Sequence, residues 1–319
     1  MDKRIKWVDV QKAIDKWIKA GEPIVNFIDD PIVEENTTPY AWSSQLTHDL
    51  SEACPLKSAY DIAYKYDNSI LPDGVSLEIS PGLRRLFDQA LHEEKRIASA
   101  IAYSHDNVLY NHRVAGIGRP DIVVQGQVLE IKFTSKEYPQ YKWLYQIAAY
   151  MDALHLDFGQ IVQIARSDYS MRCFKVIHQN EQFIMEIETG EFMTISELQF
   201  QDVKTNLENQ FRSILQGDRP LPPFESPVLI DPVDNKPKSN HCLYIRDRDE
   251  HIYFQCHGKT LTGDRCKKTV TDNPLCDVHN KQDMSMEIEW SDPVVRAKCN
   301  CPWFSYCWTN TKYENVEVK

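Results

Sequence analysis

Apolar residues recur along this chain at two distinct spacings, which predict where helices and strands fall. Trp7, Val8, Val10, Ala13, Ile14, Trp17 and Ile18 repeat at helical intervals and stop at Gly21, predicting a helix over 7–20. Leu83, Leu86, Phe87, Ala90, Leu91, Ile97, Ala98 and Ile101 form an apolar stripe along 82–103. Leu144, Ile147, Ala148, Met151 and Leu154 give 138–155 a core-facing side, and a last long helix is expected from Ile195 to Gln216, ending at Gly217. Ser43-Ser44 is expected to open a helix running through Cys54 toward Tyr66, with a break at Pro55. Short alternating or continuous apolar runs predict strands near 108–115, 121–124, 127–133, 159–166 and 171–178, with a short hairpin strand near 182–187. Glu22 to Tyr40, interrupted by Pro23, Pro31 and Pro39, is expected to be irregular. Strands followed by a helix and more strands imply an α/β fold, a mixed central sheet flanked by helices.

The pattern fades after Asp218. Pro220, Pro222, Pro223, Pro227, Pro232 and Pro237 mark an extended linker, assigned to 218–250, between an N-terminal core at 1–217 and a cysteine-rich remainder. An apolar content of 42% is that of a folded protein, and 319 residues allow one large core with an appendage. No signal-like apolar run follows the N-terminus and no apolar stretch reaches membrane-spanning length, so an intracellular protein, cytoplasmic or nuclear and off the membrane, is expected. Nine cysteines in such a chain point to metal ligation before disulfides. A net charge of −11 argues against a nonspecific nucleic-acid coat but leaves room for a locally basic site.

Candidate chemistry concentrates between Gly118 and Tyr150. Asp121 opens the run Ile122-Val123-Val124, Gln125-Gly126 supplies a turn, and Glu130 and Lys132 lie two apart on the next strand, pointing to one face. Pairing the two runs brings Asp121 near them. Two carboxylates suit a hard divalent cation, and a lysine beside them balances phosphate charge and positions a water. Gln146 and Tyr150, four apart, share a face of the following helix. By itself the Asp-x8-Glu-x-Lys spacing also fits an exposed amphipathic strand.

Together these residues resemble the RecB-like branch of the PD-(D/E)XK nuclease superfamily, over about residues 40–178. The resemblance implies a restriction-endonuclease-like core in which Asp121 and Glu130 bind Mg²⁺ or Mn²⁺. Lys132 would activate the attacking water, Gln146 and Tyr150 would lie at the active site near the DNA, and the Ile131 carbonyl would be a further ligand. The family also places an acid or histidine on the preceding helix, where two residues compete. Its histidine motif favours His92, while helical geometry favours Glu94, which falls within the apolar stripe.

Cys299-x-Cys301-x5-Cys307 lies among Trp303, Phe304, Tyr306 and Trp308 and can grip and shield a cluster. An isolated Cys54-Pro55 before the core and three cysteines after it resemble the iron–sulfur CRISPR-associated exonucleases and AddB-type helicase–nucleases. That resemblance implies a [4Fe–4S] cluster on Cys54, Cys299, Cys301 and Cys307, with 283–319 closing it. The family's usual first gap is two residues where this chain has one, so zinc at the same cysteines stays open.

Cys256-x9-Cys266-x9-Cys276-x2-His279 offers three thiolates and an imidazole, a tetrahedral Zn²⁺ set, within 251–282. His257 and Cys242 rank below His279 as ligands. The text from Cys256 to Cys266 resembles a short finger found in proteins of large DNA viruses and mobile elements. Lys259, Arg265, Lys267, Lys268 and Lys281 make it basic, so DNA contact and a purely structural knot are both open. Cys173, in an apolar strand, is expected to be a buried core thiol.

The expectation is therefore a metal-dependent deoxyribonuclease, an exonuclease on DNA ends or single strands, acting in recombination, repair or replication, with a viral source among the settings. The alternatives are a non-catalytic DNA-binding protein that keeps the fold, or a nuclease subunit working beside a helicase or recombination partner. The chain has no Gly-rich phosphate loop of its own.

Overall fold

The computed structural model describes residues 6–25, 28–29, 43–46, 54–72, 81–114, 116–188, 190–221, 243–244, 254–255, 269–270, 298–299 and 301–307. The elements in chain order are α1 (Val10–Lys19), β1 (Ile28–Asp29), α2 (Pro55–Tyr66), α3 (Pro81–Ser104), β2 (Leu109–Tyr110), β3 (Ile122–Val124), β4 (Gln127–Thr134), α4 (Tyr141–Ala153), β5 (Phe158–Ala165), β6 (Met171–Gln179), β7 (Gln182–Glu188), β8 (Glu191–Ser196), α5 (Glu197–Leu215), β9 (Leu243–Tyr244), β10 (Phe254–Gln255), β11 (Thr269–Val270), β12 (Lys298–Cys299) and α6 (Phe304–Cys307). The chain divides into two compact units, Met1–Glu52 with Glu78–Asn209, and Ala53–Leu77 with Gln210–Lys319.

The first unit is the expected α/β arrangement, a mixed sheet flanked by helices. Eight strands lie in the order β1 to β8. β1–β2 and β4–β5 pair in parallel and the other neighbours pair antiparallel. The parallel β4–β5 pair needs a crossover, and α4 supplies it. Alternation along β4 divides its side chains between two faces. Leu129 joins a core with Val10, Ala13 and Ile14 of α1 and Ile97, Ala98 and Ile101 of α3, with Ile131 and Phe133 packed against it. Val128, Glu130 and Lys132 point the other way, toward the face that α4 covers. There, a Cβ on Gly159 would lie 2.8 Å from Ile147 Cδ1 and 2.9 Å from Met151 Sδ, so glycine is what lets the helix approach β5 this closely.

Several boundaries differ from the sequence reading for physical reasons. The apolar stripe of α3 is buried only in its C-terminal half, where α1 packs; Leu83, Phe87 and Leu91 are 43%, 49% and 54% exposed. The helix expected from Ile195 begins at Glu197, because Ser196 Oγ accepts the Gln199 amide at 3.1 Å and caps it. Ile195 is instead the last buried apolar residue of β8, a strand the sequence reading missed. Cys173 is exposed on β6 rather than buried in the core. Among the described residues, Ser43–Gln45 form a short 3₁₀ turn that has ended by Leu46, and Pro55 occupies the first turn of the helix that follows Cys54, where its missing N–H costs nothing; 47–53 lie outside the described residues.

In the second unit, α2 is the anchor. Tyr60 stacks on Trp303 at 5.1 Å, Trp303 Nε1 donates to Asp61 Oδ1 at 2.7 Å, and Tyr64 packs at 5.9 Å, leaving Trp303 fully buried. Arg219 lies over the Tyr306 ring at 4.6 Å. β9 pairs antiparallel with β12, and β10 with β11. Most of the expected linker at 218–250 and of the zinc-binding segment at 251–282 lies outside the described residues. Among the described residues no helix is long and apolar enough to cross a membrane.

Candidate active site

β4 carries the centre of the site because its polar residues, Glu130 and Lys132, fall on one side of a strand whose other side is core. Glu130 is 3% exposed. Its Oε1 accepts from Lys132 Nζ at 2.8 Å and from Gln146 Nε2 at 2.7 Å, and Gln146 Oε1 accepts a second hydrogen bond from Lys132 Nζ at 2.5 Å. The three side chains thus close a ring. Lys132 has three donors and uses two of them here, leaving one for a further acceptor. Gln146 reaches this ring from α4, the helix that bridges the parallel pair.

Asp121, at the entry to β3, comes alongside through the β3–β4 pairing. The Ile131 amide donates to its Oδ2 at 2.6 Å. Burial, then the negative charges of Glu130 and Glu94, raise the Asp121 pKa well above the usual carboxylate range, against the opposing pull of Lys132 and the Ile131 amide. Glu130 is likewise raised by burial, with Lys132 opposing.

α3 delivers the next carboxylate. Glu94 is partly buried, and burial raises its pKa, with Glu130 adding to the rise and hydrogen bonds from Tyr110 and Asn111 opposing it. His92, the rival for this position, is not brought to the group: its side chain is 77% exposed, and it lies 3.6 Å from Glu93, which pairs with Arg96 at 2.8 Å. The helix turns about 100° per residue, so two positions separate a solvent-facing side chain from one facing the carboxylates.

Tyr150, one turn beyond Gln146 on α4, donates to the Arg119 carbonyl at 2.9 Å and hydrogen-bonds to Ser43 and Gln146. Burial first, and then the nearby carboxylate Glu130, push its pKa upward, so the phenol stays protonated. Gly118 makes this possible: its φ is +137°, and a Cβ there would sit 3.4 Å from the Tyr150 hydroxyl and 3.3 Å from Ser43 Oγ.

Tyr110, Asn111 and Ser43 had no signal in the sequence. Tyr110 reads there as one more apolar strand residue, and Ser43 as a helix start; only the folded chain sets them against Glu94 and Tyr150.

Two oxygens of the cluster, Glu94 Oε1 and Glu130 Oε2, are buried with no hydrogen-bond partner. An unpartnered buried carboxylate oxygen is costly unless a cation satisfies it, and an all-oxygen donor set fits a hard cation such as Mg²⁺ or Mn²⁺. Among the described residues no group of three or more His, Cys, Asp or Glu is already arranged to hold a metal ion.

Of the proposed iron–sulfur ligands, Cys54 stands at the N-cap position of α2, with no capping bond from its side chain, and is buried, Cys301 is buried and Cys307 is partly buried. Cys307 lies one turn beyond Trp303, its amide donating to the Trp303 carbonyl at 3.3 Å beside the Tyr60–Trp303 stack, and burial first, with Cys307 and Cys301 adding to it, pushes the Tyr60 pKa upward. Cys299 pairs through its backbone with Leu243; its side chain lies outside the described set. Cys256, Cys266, Cys276 and His279 also lie outside the described residues.

No family model matches the chain, and no curated protein matches it. Among solved structures it is similar to SSO0001, with 15% identity over 63% of this chain and 83% of that one and a TM-score of 0.35. It is also similar to an alkaline exonuclease, LHK-Exo, from Laribacter hongkongensis, with 13% identity over 56% of this chain and 89% of that one and a TM-score of 0.32. The same exonuclease in complex with dAMP gives 13% identity, 56% and 92% coverage and a TM-score of 0.31. At so low an overlap the reading of the site rests on its own geometry.

Proposed function

We propose that the chain is a metal-dependent nuclease that hydrolyses phosphodiester bonds of DNA, with Glu94, Asp121 and Glu130 as the metal-binding carboxylates and Lys132 as the catalytic lysine. One observation carries the reading. A buried acid, Glu130, and two partly buried ones, Asp121 and Glu94, lie close enough to raise one another's charge cost beside a lysine, and two buried oxygens of the group lack a hydrogen-bond partner. A fold gains nothing in stability from such an arrangement, since each unpartnered buried polar atom costs about 1–3 kcal/mol. It becomes favourable once a divalent cation is bound, and that cation would supply polarisation of the scissile phosphate and of the water that attacks it. The Gln146–Glu130–Lys132 ring orients the lysine amine, and the free donor of Lys132 is available to a phosphate oxygen or to water. Tyr150 positions the Arg119 backbone beside Asp121 and acts on the geometry rather than on protons.

We further propose that Cys54, Cys299, Cys301 and Cys307 hold an iron–sulfur cluster. Two buried thiols and a third beside an aromatic stack support the soft-ligand reading. The zinc assignment to Cys256, Cys266, Cys276 and His279 rests on spacing and resemblance alone. DNA is the partner implied; a helicase or recombination protein is a proposal of the sequence resemblance only.

The test is incubation of the full chain, purified anaerobically, with end-labelled linear and circular DNA in Mg²⁺, Mn²⁺ or EDTA. The reading expects cleavage in either metal, none in EDTA, and products that start from ends. DNA binding without cleavage under every metal would favour the non-catalytic alternative.

A further inference from the structure

β4, β5 and β6 pair in register so that Lys132 lies opposite Gln163, and Gln163 opposite Arg172. Directly paired residues point to the same face of a sheet, so these three side chains form one row leading away from the carboxylates. With strands about 4.8 Å apart, Arg172 starts about 10 Å from Lys132. At the end of this row lies a cleft of about 330 Å³ lined by Lys136, Tyr138, Gln163, Ser167, Ser170 and Arg172, among others.

The cleft is built as well as open. Gln163 is 4% exposed, and its Nε2 donates to the Lys136 carbonyl, while its Oε1 has no hydrogen-bond partner. Arg172 Nη1 donates to the Glu137 carbonyl at 3.1 Å, which fixes the guanidinium against the loop after β4. Tyr138 is 65% exposed at the rim. Lys136 and Arg172 put two cations on a protein whose net charge is −11, and Glu137 is the acidic member of the lining.

We propose that this cleft seats one nucleotide of the DNA strand next to the scissile phosphate. This rests on the nuclease reading, because it places the scissile phosphate at Lys132. A planar guanidinium and an ammonium together suit a phosphodiester oxygen pair. An exposed aromatic ring offers a stacking platform for a base without regard to sequence. The buried Gln163 Oε1 is an acceptor waiting for a ligand N–H or O–H. A volume near the lower end of small-molecule sites, about 300–1,000 Å³, holds one nucleotide and not a duplex.

The experiment separates this proposal from the reading beneath it. Binding of a fluorescein-labelled eight-nucleotide single strand to the full chain is followed by anisotropy in EDTA, where cleavage is off, across a salt series. Lys136→Ala and Arg172→Ala are each expected to weaken binding about tenfold and to flatten the log–log salt slope by about 0.7, the loss of one single-strand phosphate contact. Tyr138→Ala is expected to weaken binding about tenfold with the salt slope unchanged. Lys136→Ala leaves the Arg172–Glu137 hydrogen bond in place, so it answers for the site even if Arg172→Ala loosens the loop. Lys12→Ala, on an exposed face of α1, should match wild type. Unchanged affinity and slope in both Lys136→Ala and Tyr138→Ala would overturn the cleft. A wild-type chain that binds as described yet never cuts in Mg²⁺ or Mn²⁺ would overturn the nuclease reading and leave the cleft as a strand-binding site.

Discussion

Glu130→Gln puts the carboxylate cluster to a quantitative test. In the wild-type chain Glu130 Oε1 holds Lys132 and Gln146, and Oε2 is buried without a partner. Glutamine keeps an acceptor at the first position but removes the charge. Lys132 stays charged, so its bond remains one to a charged group, and only the Gln146 bond changes from about 1.5–3 kcal/mol to the about 0.5–1.5 of a neutral pair, a loss of about 1 kcal/mol on that side. The same change relieves the repulsion that helps to raise Asp121. The two effects oppose each other, and the metal-free variant is expected within about 1 kcal/mol of wild type. Divalent metal separates them. At a concentration of 100 times Kd, a site that binds only the folded state gains about 2.7 kcal/mol, which for a unit of this size is about 5–11 °C in Tm. Unfolding is followed with and without Mg²⁺, a cation that takes oxygen ligands and leaves the thiolates alone. Wild type should show the metal-dependent gain and Glu130→Gln should lose nearly all of it. A variant with the full Mg²⁺ gain, or a wild type with none, would refute the metal-binding role of Glu130.

The raised acids also set a pH dependence. Asp121, Glu94 and Glu130 have folded-state pKa values above their unfolded ones, chiefly through burial. Folding then binds protons, so in EDTA their contribution is fully present below the ordinary carboxylate pKa and is lost as pH rises through the raised values. Denaturant midpoints from pH 5 to pH 8 should therefore fall in EDTA and flatten in Mg²⁺; a rise in EDTA would contradict the sign. Trp303→Ala should destabilise the second unit by about 3–5 kcal/mol, since it empties a fully buried site and strips Asp61 of its indole donor; denaturation read by circular dichroism checks it. Gly159→Ala pushes a methyl into Ile147 and Met151, both fully buried, and should cost about 1–3 kcal/mol by the same measurement, with a loss of cleavage rate because α4 carries Gln146 and Tyr150.

Some parts of this site were legible in the chain and others were not, for reasons of distance along it. Asp121, Glu130 and Lys132 lie within one hairpin, where a period of two dictates which side chains share a face, and Gln146 and Tyr150 obey the helical period next door. Local periodicity also put Glu94 within the stripe of α3 while a family motif pointed to His92, and the fold exposes the histidine. What local pattern cannot carry is contact between distant segments. Tyr110 at the end of β2 and Asn111 just after it brace Glu94 of α3, and Ser43 reaches Tyr150 across about a hundred residues of chain. A stripe also says nothing of its cover: Leu83, Phe87 and Leu91 have the same spacing as Ile97 and Ile101, yet only the latter pair meets α1. Cys173 shows the same limit for strands, since an apolar run does not tell which alternate positions face the core.

The central claim is that these carboxylates and Lys132 form one catalytic centre, and single-turnover cleavage by Lys132→Met tests it most directly. Labelled DNA is bound to saturation in Ca²⁺-free buffer, and the reaction is started with Mg²⁺. The account predicts that Lys132→Met, saturated with DNA, still gains stability from Mg²⁺, while its cleavage rate falls by about 10²–10⁴-fold, the scale of a lost charge-stabilising or proton-handling group. Cleavage at the wild-type rate would contradict it.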